Sequence, residues 1–281
     1  MRPTSRRFLA TALLLAAASP CGAHEYWLFP SRYQAARGDT VVVRAGVGTG
    51  FRGETKPFAA LRATRLEVLT TRAVDVRTFA LNGGEDYARF VAPDDGGAVV
   101  TYESNFATIQ LPAPEFDAYL RLEGLDGPLR ARIRAGTVVP GRERYSRCCR
   151  TWIAGRDLAR ATMPAGLPLE VSPQSDPCAG GTVAFRVLLR GRPLPGALVR
   201  AWNRPLDPAG RAFDPATRDS LPAIFQARTN GDGVVRVPVG HAGEWMINAV
   251  HMEASTVPAE ADWQSLWASF TFARREARRQ P

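Results

Sequence analysis

The residues best placed for chemistry lie in the stretch Ala23-His24-Glu25-Tyr26-Trp27-Leu28-Phe29-Pro30. Before it come Arg2, Arg6 and Arg7, an apolar run from Phe8 to Ala18, and the small residues Cys21-Gly22-Ala23. That is the three-part layout of a secretory signal, with cleavage expected after Ala23. The processed chain would then begin at His24. A first-residue histidine offers its α-amine and its imidazole, which together close a chelate ring on one transition-metal ion. Only two other histidines exist, His241 and His251. Trp245, Ile247, Ala249 and His251 share one strand face by alternation, and the first two mark it as buried. His251 is therefore expected at the core side of a strand, and His241 in the turn Gly240-His241-Ala242-Gly243.

Other chemistries find little support. The chain has no Gly-x-Ser-x-Gly elbow, no phosphate loop with lysine and no His-Glu-x-x-His. Asp94-Asp95 and Glu85-Asp86 sit in turn sequences. Asn230-Gly231-Asp232-Gly233 resembles part of a calcium loop without its downstream glutamate. Trp27, Trp263 and Trp267 are candidates for an aromatic site or for core. Beyond the signal, Cys148, Cys149 and Cys178 form an odd set in an oxidising compartment. A bond from Cys148 or Cys149 to Cys178 is the simpler expectation, and a soft thiolate metal site the sharper one. Pro20 before Cys21 argues against a lipid anchor.

The positioning elements are mostly strands. The 281 residues suit one large or two ordinary domains. The 36 basic residues exceed the 27 acidic ones, nearly all are arginine, and they are scattered apart from the tail. This predicts a solvated surface, with no nucleic-acid partner. No apolar run is long enough to span a bilayer, so the processed protein is expected to be soluble and periplasmic, without an integral membrane segment. Short alternating segments punctuated by Gly, Asn and Asp predict a mainly β fold of two antiparallel β-sandwich domains, Ig-like or transthyretin-like. A first domain is expected over 24–164 and a second over 165–273, divided near Met163-Pro164-Ala165-Gly166, with a basic disordered tail over 274–281. One short helix in the first domain is predicted from Phe116, Tyr119 and Leu120, ending at Gly124, with a second helical piece over 129–135.

Several stretches together resemble the exported bacterial proteins of the domain of unknown function 4198 family, similar to the periplasmic part of a nickel-uptake component. The resemblance spans nearly all of 24–272. Its carriers are His24-Glu25-Tyr26-Trp27-Leu28 with Pro30, then Phe116, Tyr119-Leu120 and Glu123-Gly124-Leu125. Arg144-Tyr145-Ser146-Arg147-Cys148, Leu167-Pro168-Leu169-Glu170 and Gly191-Arg192-Pro193-Leu194-Pro195-Gly196-Ala197 follow. Trp245 with Val250-His251-Met252, and Asp262-Trp263 with Trp267-Ala268-Ser269 and Thr271-Phe272, close the set.

The resemblance implies a soluble, non-catalytic protein that binds nickel, cobalt or copper and supports metal uptake or buffering, with a membrane metal transporter as a possible partner. It implies His24 and His251 as metal ligands, with His251 the third nitrogen of a T-shaped arrangement like the histidine brace of copper proteins. An oxidative copper enzyme and a metal-free adhesion or scaffold protein are the rivals. The second half also resembles the small seven-strand sandwich appended to carboxypeptidases and surface proteins. Two cysteines depart from the family pattern, Cys149 and Cys178, and their joint appearance implies a Cys149–Cys178 disulfide between the domains.

Overall fold

A computed structural model describes residues 24–217 and 219–274. The expected signal over 1–23 and the expected tail beyond Arg274 lie outside the described residues. Arg274 itself closes the last strand.

The first half of the chain supplies β1 (Glu25–Pro30), β2 (Thr40–Thr49), β3 (Arg52–Thr55), β4 (Ala63–Leu69), β5 (Ala73–Asp75), β6 (Ala88–Val91), β7 (Ala98–Ser104) and β8 (Ala107–Leu111). Helices α1 (Ala113–Leu122) and α2 (Asp126–Arg134) follow, then the long strand β9 (Gly141–Ile153) and the short α3 (Leu158–Thr162). The second half supplies β10 (Leu169–Pro173), β11 (Gly181–Leu189), β12 (Arg192–Pro193), β13 (Leu198–Arg204), β14 (Phe225–Arg228), β15 (Val234–Val239), β16 (Gly243–Ala254) and β17 (Trp263–Arg274). The fold is mainly β and built as stacked sheets, as the alternation predicts. The helix of the first half also forms as expected: Phe116, Tyr119 and Leu120 are its buried face, and Gly124 ends it at φ 64°.

The expected division at 164/165 does not separate two independent sheets. A nine-stranded central sheet runs β14-β13-β16-β17-β9-β7-β4-β5, with β8 also on β9. Its midline is a parallel pairing of β17 with β9, in which Ser269 lies opposite Cys149. One strand comes from each half, so the halves share one continuous hydrogen-bonded layer. A sheet of β10, β11, β12 and β15 covers one face of that layer, over a core containing Cys148, Trp152, Phe185, Trp245, Ile247 and Phe270. A sheet of β1, β2, β3 and β6 covers the other face, over a core containing Leu28, Val43, Val100, Tyr102 and Cys149. Central strands covered on both faces are buried at successive positions, as in 148–153 of β9 and 264–273 of β17, where buried polar residues such as Arg150, Ser269 and Thr271 interrupt the apolar ones.

The expected disulfides are corrected. All three thiols in the described residues are free. Cys149 faces β1, donating its thiol to the Tyr26 carbonyl at 3.3 Å. Cys148 belongs to the opposite core. Cys178 sits with Trp152 in the wall of one surface cavity. Trp152 is on the Cys148 side of β9 but four residues along it, roughly 13 Å at strand spacing. A disulfide needs Cα atoms within about 7 Å. Cys149–Cys178 is further excluded because the two lie on opposite faces of the central sheet.

Candidate metal site at the amino-terminal strand

The segment just after the expected cleavage point is itself a strand. Every residue of β1 is buried, whereas His24 immediately before it is exposed. On one edge β1 pairs with β2, Glu25 opposite Gly48 and Trp27 opposite Gly46. Glycine is required at the second place: a Cβ on Gly46 would lie 2.4 Å from the Trp27 ring.

The other edge of β1 meets side chains of the central sheet instead of a strand. Arg147 Nη1 donates to the His24 carbonyl at 2.7 Å, the Cys149 thiol to Tyr26, and Thr271 Oγ1 to the Leu28 carbonyl at 2.6 Å. Alternate carbonyls, all on one edge, thus each find a donor on β9 or β17. An edge strand otherwise carries a row of unpaired groups, and unmet buried carbonyls are costly. The result is a clamped strand. Arg147 is itself held by aromatic faces, 4.8 Å from the Trp267 ring centroid and 4.9 Å from that of Tyr145.

His24 sits at the exposed end of this clamp. Its Nδ1 is 3.3 Å from Thr49 Oγ1. Partial burial and the Arg147 guanidinium lower the imidazole pKa, against an opposing pull from Glu54. The neutral imidazole, which is the metal-binding form, is therefore favoured.

Behind His24 lies an acidic corner. Glu25 is buried, accepts the Gly50 amide at 3.1 Å, and is pushed up to about 7 by burial and then by Glu123. Glu123, at the end of α1, is paired with Arg200 of β13, and burial also raises its pKa. Its second oxygen is buried without a partner among the described residues, as are Trp27 Nε1 and Asn248 Nδ2. Nearby, Glu143 of β9 accepts the Tyr119 hydroxyl at 3.1 Å and the Ser265 hydroxyl. Burial pushes it, too, up to about 7.

The proposed joint site of His24 and His251 is corrected. Cys149, Ser269 and Asn248 are register partners across β9, β17 and β16, and Cys149 faces β1. His251 is an odd number of residues from Asn248, so it projects from the opposite face, as its shared side with Trp245, Ile247 and Ala249 predicts. The central sheet separates the two imidazoles. His251 Nε2 is 3.7 Å from Glu253, and burial lowers its pKa. Among the described residues, no group of three or more His, Cys, Asp or Glu is arranged to hold a metal. His241 is in the turn after β15, where its carbonyl accepts Trp245 Nε1 at 3.0 Å. The candidate aromatic site is divided: Trp27 packs with Phe51 and Trp202, and Trp263 and Trp267 pack beside α1.

The side chains present do not fit a closed metal cage; a two-nitrogen chelate at His24 would need the α-amine that the expected cleavage after Ala23 would free. The Arg147 charge opposes a cation there, which favours an exchangeable ion. Reasoning on the sequence missed the roles of Arg147, Glu123 and Arg200. A glutamate heading an otherwise apolar strand, Glu25, was the available signal, because a buried carboxylate implies partners.

With this geometry in place, the comparisons with known proteins are informative mainly about family. The family model described as "Domain of unknown function (DUF4198)" matches residues 21–253. The chain belongs to this family. No curated protein matches the chain. Among solved structures, the D0-D1 domain of Intimin is similar at 9% identity and a TM-score of 0.19, covering 89% of this chain and 100% of that one. The family carries no assigned activity, so function must be argued from the site. No helix among the described residues is long and apolar enough to cross a membrane.

Proposed function

We propose that the processed chain is an exported, periplasmic transition-metal-binding protein whose cargo is held by the α-amine and imidazole of His24. One observation carries this reading: the exposed residue at the expected new terminus heads a strand clamped along both edges. A terminal chelate on a rigid strand loses less conformational freedom on binding than one on a loose end. Two nitrogens leave the remaining coordination positions to water or to a receiving protein, which suits uptake or buffering better than catalysis. A third nitrogen from His251 forms no part of the reading, and without it the copper-brace enzyme loses its support. Nitrogen donors favour nickel, cobalt or copper over hard ions, with copper first on raw affinity. The α-amine must shed a proton from a reference pKa of about 7.7–8.0, so affinity should weaken in mild acid.

Isothermal titration with Cu(II), Ni(II) and Co(II) tests this on two samples, one starting at His24 and one with a single extra residue before it. The expected result is one-to-one binding to the first and at least a hundredfold weaker binding to the second. Equal binding by both, or none by either, would remove the terminal site.

A further inference from the structure

Strand β16 is fully paired on one side only. β17 matches it from Gly243 opposite Arg274 to Ala254 opposite Trp263. On its other side β13 stops at the pair Val199–Ala249. The last five residues, Val250 to Ala254, thus have no neighbouring strand there. Which backbone groups face the gap follows from alternation. Ser255 N donates to Asp262 O at 2.9 Å, towards the β17 side. Successive residues of a strand point their N–H and C=O groups in opposite directions, so Met252 and Ala254 turn theirs to the open side. Among the described residues, no loop or turn bonds to the Met252 backbone.

The gap is a slot. A cavity of about 250 Å³ lies along it, with Val250, His251 and Met252 on its floor. Leu125 and Pro128 form one wall, and Leu194, Pro195 and Leu198 the other. An open strand edge between two apolar walls is the geometry of strand addition, where backbone bonds give affinity and flanking pockets select side chains. Native sheets usually cover or charge such an edge.

The rim indicates the charge of the occupant. Arg228 is paired with Asp126, and Arg190 with Glu253. Arg130, which also lines the slot, is exposed and has no carboxylate partner among the described residues. The rim thus carries a surplus positive charge. We propose that this slot binds an extended acidic segment of a partner protein as an added strand on β16. The site lies at the outer edge of β16, with β17 between it and the β9 residue Arg147 that holds His24, so it stands or falls independently of the metal reading.

The test uses the full processed chain and a fluorescein-labelled peptide, acetyl-Glu-Val-Thr-Val-Glu-amide. Two control peptides are its lysine-flanked counterpart and a version N-methylated at alternate residues, which cannot complete a strand ladder. Fluorescence anisotropy should show saturable binding of the acidic peptide, at least tenfold weaker for both controls. Arg130→Glu, an exposed substitution, should weaken the acidic peptide several-fold and narrow its advantage over the lysine peptide. Hydrogen exchange should find the Met252 amide fast in the free chain and at least tenfold slower with peptide. A Met252 amide already slow without peptide would overturn the proposal. So would equal binding of the methylated peptide, or no binding of the acidic one up to millimolar concentration.

Discussion

Two buried charged regions of this molecule are built on different terms. At the junction of the two halves, Arg150 donates to Glu170 and to Ser172 Oγ at 2.6 Å each, and to the carbonyls of Ala161 and Met163. Glu170 in turn accepts the amides of Ala165, Gly166 and Leu167. One acid meets one guanidinium, and the linker between the halves supplies most of their other partners, Arg150 Nε alone of the pair's polar atoms having none among the described residues. The acidic corner behind His24 has no such match. Among the described residues Glu25 and Glu143 have no ion-pair partner, Glu123 leaves an oxygen unpaired, and Arg200 pairs with Glu123 alone. The first region holds two layers together. The second tolerates cost beside the exposed His24, and imperfect pairing of this kind is expected at a functional site.

The contrast can be broken most severely at the junction. Arg150→Met should leave Glu170 buried and unpaired and lower stability by about 3–5 kcal/mol. Urea denaturation measures it, and a loss below about 1 kcal/mol would mean the network is dispensable. At the clamp, Gly46→Ala should force Trp27 aside at a cost of about 1–3 kcal/mol by the same assay. A chain as stable as the parent would show that β1 can shift freely.

Titration sharpens the comparison further. Burial holds the Glu143 carboxyl at about 7, against an ordinary value near 4.5. The folded state then keeps a proton that the unfolded chain gives up. Stability should fall as pH rises from about 4.5 to about 7, and level off above. Glu143→Gln should flatten that slope, on the order of 3 kcal/mol across the window. An unchanged pH profile of the melting temperature would contradict an uncompensated acid.

The smallest effects on stability fall at the histidines. His24→Ala is exposed and should change stability by less than about 0.5 kcal/mol while abolishing the terminal chelate's metal uptake. His251→Ala should leave metal affinity untouched, because the central sheet lies between the two. Loss of metal in both variants would mean a different site. Thiol counting on the unfolded, unreduced chain should find Cys148, Cys149 and Cys178 all free.

Much of the fold was legible in short stretches. Turn residues and alternation marked most strands, and the Phe116, Tyr119 and Leu120 stripe located α1. The parity that put His251 with Trp245 and Ile247 also held. It did not say which sheet that face would meet, and so His24 and His251 were joined wrongly. Cysteine pairing failed for the same reason: Cys148 and Cys149 are adjacent in the chain and project into different cores.

What the sequence determines by itself is local. It sets the strand faces through side-chain alternation, the turns through glycine and asparagine, and the exposed histidine at the head of an apolar strand. Only the tertiary structure decides that β17 lies parallel to β9, uniting the halves in one sheet. It alone brings Arg147, Cys149 and Thr271 under the carbonyls of β1, gathers Glu25, Glu123 and Glu143 into one corner, and ends β13 before β16. These are contacts between residues far apart in the chain. Their formation depends on which buried faces pack together, and that competition among layers is not encoded in any single segment.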